Sequence, residues 1–147
     1  MRLLPFYLLT FAAGVSVTVQ QVLNSNLRGQ IGSAWWAGVT SYVVGLLTML
    51  AVAIPMDGVR GLGSMIGRVE GFTWIGGALG AMFIGTAILM VPRLGATTTM
   101  GFVIVGQLVA AAAIDHFGLL EVTQHSLTPL RIAGIAMLVG GMVLVRA

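Results

Sequence analysis

Five long apolar stretches run through this chain, and they leave it little choice of environment. They extend from Leu3 to Leu23, Trp35 to Ile54, Phe72 to Val91, Gly95 to about Ile114 and Leu130 to Val145. The first four carry no charged residue, and the fifth carries only Arg131 near its start. An α-helix rises about 1.5 Å per residue, so about 20 residues cross the roughly 30 Å hydrocarbon core of a bilayer. The first four stretches have that length. The fifth is shorter and needs its flanks or a local thinning of the lipid. Inside lipid no water satisfies backbone N–H and C=O groups, and a helix bonds all of them internally. The expectation is therefore an all-α polytopic membrane protein with five transmembrane helices in a single transmembrane domain, residues 1–147.

Composition closes the alternative of a soluble fold. Hydrophobic residues make up 58% of the chain and charged residues 7%, against about 25% charged in an ordinary soluble domain. A water-soluble arrangement would leave large apolar surfaces wet. All seven cationic residues are arginine, the net charge is +3, and the arginines are dispersed singly, so no basic stripe for nucleic acid exists. Cysteine is absent, which excludes disulfides and thiolate metal sites. Met1-Arg2 ahead of an apolar run imitates a signal peptide, yet the run is long and no small-residue cleavage site precedes polar sequence. A retained first span is expected.

Charge placement bears on orientation. With five spans the termini lie on opposite sides of the membrane. One side receives Arg2, Arg60, Arg68 and Arg131, and the other Arg28, Arg93 and Arg146. Arginine and lysine normally concentrate on the cytoplasmic side, and this near-balance leaves both orientations open. Many carriers enclose a midplane site between two inverted repeats. Five spans cannot be halved, so one chain reads as one repeat and an antiparallel second chain as the other.

Small residues mark where helices touch in lipid. The third span offers Gly76-x-x-x-Gly80 and Gly77-x-x-x-Ala81-x-x-x-Gly85, and the fifth offers Gly134 and Gly141, two turns apart on one face. Either set serves contacts within or between chains, and Gly134 with Gly141 is the stronger dimerisation candidate.

The polar residues inside the spans are few. In the first span Thr10, Gly14, Val17, Gln21, Asn24 and Arg28 fall in a narrow stripe at helical spacing, with Gln20 to its side. An unpartnered amide in hydrocarbon is costly, so Gln21 and Asn24 face other helices or a wet cavity. They either line a solute pathway or hold the bundle together. Gln107 sits mid-way along the fourth span with the same two readings. Thr97, Thr98 and Thr99 open that span, with hydroxyls able to bond back to their own helix. Trp35 and Trp36 at a span boundary read as interfacial anchors or as a platform for an aromatic or cationic solute. Trp74 reads as an anchor, and Tyr42 lies deeper.

No Asp or Glu lies well inside a span, which argues against the simplest exchange of a proton for a cation. Facilitated diffusion, coupling through an edge carboxylate such as Asp115, or another coupling ion remain, although Asp115 near a helix end more readily pairs with an arginine. Asp57 to Glu70, holding Arg60 and Arg68, reads as a solvated or interfacial loop. Asp115, His116, Glu121 and His125 match no metal spacing, and Gly61-x-Gly63-Ser64 lacks the setting of a phosphate cradle. No enzyme activity, metal or cofactor is expected.

Several ordered segments carry a resemblance. They are Gln20-Gln21-Val22-Leu23-Asn24-Ser25-Asn26-Leu27, Trp74-Ile75-Gly76-Gly77-Ala78-Leu79-Gly80-Ala81, Pro92-Arg93-Leu94-Gly95-Ala96, Gly106-Gln107-Leu108, Asp115-His116-Phe117-Gly118 and Arg131-Ile132-Ala133-Gly134. In this order the chain resembles the YdcZ-type five-helix proteins of the drug/metabolite transporter superfamily. Through Gly134 and Gly141 its last span also resembles the dimerising helix of the small multidrug resistance proteins. The resemblance implies a multi-pass carrier of the bacterial inner membrane, half of an inverted-repeat ten-helix fold, of dual topology and working as an antiparallel homodimer. The small multidrug proteins carry an essential glutamate in their first helix. This first span has only amides and hydroxyls, so proton-coupled export of quaternary ammonium does not carry over.

The reading is a transporter of a small solute by alternating access. Gln21, Asn24, Tyr42 and Gln107, with Gln20 and Trp36, are the candidates to line the cavity by hydrogen bonding and stacking. A non-transporting membrane subunit and a small channel are the rivals.

Overall fold

A computed structural model describes residues 3–59, 63 and 71–146. Arg2, Arg60, Arg68 and Glu70, and the Gly61 and Ser64 of the glycine loop, lie outside the described residues. Five α-helices follow in order: α1 (Leu4–Ile31), α2 (Ala34–Asp57), α3 (Ile75–Leu94), α4 (Ala96–Phe117) and α5 (Pro129–Arg146). A 3-10 turn, Gly71–Trp74, leads into α3, and another, Leu119–Glu121, follows α4. No strand occurs among the described residues. α1, α2, α3 with its leading turn, and α4 are long and apolar enough to cross a membrane, and α5 is the shorter apolar helix expected from its sequence. The chain divides into two compact units, Met1–Arg93 and Leu94–Ala147.

The helices outrun the apolar stretches at their C-terminal ends. α1 continues through Asn24-Ser25-Asn26-Leu27-Arg28 to Ile31, because none of those residues is a helix breaker. It stops at Gly32, whose φ of 77° needs a residue without Cβ and whose N–H reaches the Arg28 carbonyl at 2.8 Å. Ser33 then caps α2, its Oγ accepting from the Trp36 N–H at 3.3 Å. Two residues therefore turn the chain from α1 to α2. Pro5 and Pro129 stand in first turns, where a missing N–H costs nothing. Pro55 and Pro92 stand inside α2 and α3 near their C-terminal ends.

The threonines look after themselves. Thr10 and Thr18 in α1, Thr40 and Thr48 in α2, and Thr99 in α4 each donate a hydroxyl hydrogen bond to the carbonyl four residues earlier. Thr10 thus leaves the polar stripe of α1 as a group already satisfied within its own helix.

In the first unit, α2 and α3 meet by matching small residues to large ones. The buried core contains Ala34, Ala37, Ile84 and Ile88. Gly38 lies against Ile84 and Ile88, the Tyr42 hydroxyl rests over Gly80, and the Trp35 ring lies over Gly85. A Cβ on Gly80 would stand 2.8 Å from that hydroxyl, so the glycine is what admits the tyrosine. Gly80 and Gly85 of the third-span pattern serve aromatic rings, while Gly76 and Gly77 face open space. Along α1 no residue from Leu3 to Gln20 is buried, an apolar surface suited to lipid or a second chain.

The second unit is a hairpin of α4 and α5. The Met142 sulfur occupies the place where a Cβ on Gly101 would project. The end of α4 is closed with care. Its carbonyls at Ile114, Asp115 and His116 accept from the Gly118 N–H, the His125 N–H and Gln124 Nε2. His116 Nδ1 accepts from the Leu127 N–H at 3.3 Å, and Arg131 Nη1 stands 3.7 Å from Asp115 Oδ2. Asp115 pairs with an arginine, as its position at a helix end suggested.

Candidate functional site

The C-terminal half of α1 concentrates the unusual chemistry. Gln21 and Asn24 are one turn apart on one face, with relative exposures of 0% and 6%. Gln21 and Ile88 are the largest fully buried side chains among the described residues. Among the described residues, neither Nε2 nor Oε1 of Gln21 has a hydrogen-bond partner, nor does Nδ2 of Asn24. Buried side-chain amides are nearly always bonded, because leaving one unmade costs about 1–3 kcal/mol. These three atoms are satisfied neither by the helix nor by another described side chain.

One turn further on, Arg28 is half-buried and donates from Nη1 to the Ile88 carbonyl at 3.3 Å. The choice of carbonyl follows from the sequence of α3. In a helix the Ile88 carbonyl would accept from the N–H of residue 92, and residue 92 is proline. Pro92 leaves that carbonyl free in the core, and Arg28 fills the vacancy from the neighbouring helix. Among the described residues no carboxylate lies within 4.0 Å of Arg28.

The other candidates sit elsewhere. Gln20 is exposed. Tyr42 lines an open groove of about 680 Å³ between α2 and α3, with Trp35, Val39, Leu46 and Met82 among its walls, and neither Gln21 nor Asn24 borders it. That groove is almost wholly apolar and suits hydrocarbon better than a polar solute. Trp36 is 65% exposed and its N–H serves the Ser33 cap. Gln107 belongs to the second unit, where its side chain is exposed on α4. Gly134 and Gly141 meet nothing within 4 Å of an added Cβ, so among the described residues of the second unit neither forms a close contact. Sequence reasoning placed Arg28 in the stripe but missed it as a site residue. The signal was present in two spacings: Arg28 four residues after Asn24, and Pro92 four residues after Ile88.

Residues 5–144 match the family model DMT_YdcZ, described as "Putative inner membrane exporter, YdcZ". The chain belongs to the YdcZ family. It is 26% identical over 106 residues to the inner membrane protein YdcZ of Escherichia coli K12, covering 72% of this chain and 71% of that protein. No solved structure matches. The span matched to the YdcZ family includes nearly all of the five helices, and with them Gln21, Asn24, Arg28, Gln107, Gly134 and Gly141. With its long apolar helices, this YdcZ-family chain is a multi-pass inner-membrane protein.

Proposed function

We propose that this YdcZ-family protein moves a small polar solute across the inner membrane by alternating access, as an antiparallel pair of chains. The observation that carries the reading is the amide of Gln21, wholly buried with neither polar atom bonded among the described residues. An amide that only bridges helices would be paired in the folded chain. One that waits unpaired is completed by something that arrives, and in a transport family that is the solute. Asn24 shares its face and extends the polar surface by a turn. Gln107, Tyr42, Gln20 and Trp36 are secondary candidates, drawn in by the second chain or by the change of state.

The pairing rests on other features. Five helices make an odd-numbered unit that an inverted partner completes. The near-equal division of arginines favours neither orientation. Gly134 and Gly141 present an unoccupied small-residue face on α5, which suits close approach of a helix from another copy.

The test is reconstitution. Liposomes carrying the purified protein take up members of a radiolabelled panel of small carboxylates, sugars and amines with saturable kinetics. Gln21→Leu abolishes uptake without loss of fold. Uptake that never saturates identifies a channel, and vesicles that move nothing overturn the transporter. A C-terminal tag accessible from both faces of the membrane supports the antiparallel pair. Finding every C-terminus on one side removes it.

A further inference from the structure

The polar face of α1 also points to the charge of the solute. Its register places Gln21, Asn24 and Arg28 in succession, with Asn24 about 6 Å and Gln21 about 10 Å along the axis from Arg28. The three residues are spaced three and four apart, so they share one face of the helix. Its guanidinium has five N–H donors, and Ile88 engages one nitrogen. No described carboxylate neutralises it. α1 itself contains no acidic residue. The face therefore presents one positive charge that no described carboxylate compensates, a fork suited to a planar oxyanion, and two buried amides able to donate and accept. Its one formal charge is positive, which disfavours a cation beside the amide oxygens.

We infer that α1 binds a small solute through a carboxylate held by Arg28, with a second polar group of the same molecule (a hydroxyl, carbonyl, amide or further carboxylate) held by Asn24 and Gln21. This rests on reading the two amides as facing solute. The carbonyl of Ile88 fixes one side of the guanidinium, so the remaining N–H groups are pre-oriented and little side-chain entropy is lost on binding. A rival source of the same charge chemistry is the phosphate of an anionic lipid. A lipid headgroup would engage Arg28 alone and leave the deeper Gln21 untouched.

The protein reports on this site by itself. Trp35, Trp36 and Trp74 all belong to the unit that contains α1, so tryptophan fluorescence during thermal unfolding in detergent follows that unit. Four probes are compared at equal ionic strength: glutarate, its uncharged diamide glutaramide, choline, and phosphatidylglycerol doped into the micelle. A ligand that binds only the folded state raises the midpoint in a saturable way. The expected result is such a rise with glutarate and none with glutaramide or choline. Gln21→Leu raises the glutarate concentration needed for half the shift by about tenfold or more. Arg28→Lys does the same, since a point charge lacks the fork. If the Arg28 variant fails to fold, the ranking of probes on the unaltered protein and the Gln21→Leu shift still decide.

The proposal is overturned if choline or glutaramide matches glutarate, if no probe shifts the midpoint, or if the glutarate effect survives Gln21→Leu unchanged. A phosphatidylglycerol shift without a saturable glutarate shift assigns Arg28 to lipid and also overturns it. Failure here is separable from failure of the transporter. Vesicles that move only amines keep transport and remove the carboxylate site. A protein that binds glutarate and moves nothing keeps the site and removes transport.

Discussion

In the unit Met1–Arg93 both polar atoms of Gln21 and Nδ2 of Asn24 are buried and unpaired among the described residues, while in Leu94–Ala147 the polar groups gathered at the end of α4 are more exposed and bonded. Asp115, His116, Gln124 and Arg131 each have a named partner, and together they close a helix end and tie down the chain that leads to α5. Exposed polar groups that find partners are explained by local architecture. Buried ones that lack them cost free energy in every resting molecule, and such a cost persists where function requires it. On the proposed function, the contrast separates a structural cluster from a binding one.

The sharpest way to break this contrast is Gln21→Leu set beside Gln124→Ala. Removing an unsatisfied buried amide leaves stability unchanged or raises it by about 1 kcal/mol, within the desolvation cost of such a group. Uptake into vesicles falls by about a hundredfold or more. Gln124→Ala frees the His116 carbonyl and leaves uptake near normal. A large drop in melting temperature for Gln21→Leu would make the amide a bundle contact and erase the distinction.

Next in size is Gly101→Ala. The new methyl group meets the Met142 sulfur, and overpacking of this kind costs about 1–3 kcal/mol. Hydrogen exchange along α4 and α5 should rise. Gly134→Ala meets nothing among the described residues of its unit and should leave that exchange unchanged while weakening the proposed antiparallel pair, read by crosslinking in the membrane. Equal effects of the two variants on the isolated unit would contradict the packing described.

A smaller effect tests the bond between Arg28 and Ile88. Arg28→Ala leaves the Ile88 carbonyl unfilled in an otherwise intact helix. Pro92→Ala restores the N–H that would occupy it. In a double-mutant cycle the loss caused by Arg28→Ala should be about 1 kcal/mol less when residue 92 is alanine, within the usual range for directly coupled groups. Strict additivity would mean that Arg28 does not serve that carbonyl. Smallest is Asp115→Asn. The pair with Arg131 spans 3.7 Å and is partly exposed, and pairs of that kind contribute about 0–1 kcal/mol. A melting temperature shifted by no more than a few degrees is expected.

Much of this protein is written in one dimension. The uncharged runs alone require lipid and helices, since hydropathy and length need no knowledge of neighbours. The short last helix, the pairing of Asp115 with an arginine and the polar stripe of α1 follow from composition and a period of 3.6. Helix ends were less legible: α1 runs on to Ile31 because Gly32 terminates it, whereas hydropathy falls away after Leu23. Tertiary structure alone decided which polar groups are paired. Gln20 and Gln21 are neighbours of the same type, yet one is exposed and the other fully buried, because a helix turns about 100° per residue and only packing selects the covered face. The role of Arg28 had the same origin. A carbonyl sixty positions away in the chain lost its partner to Pro92, and only the approach of two helices brings a guanidinium to it.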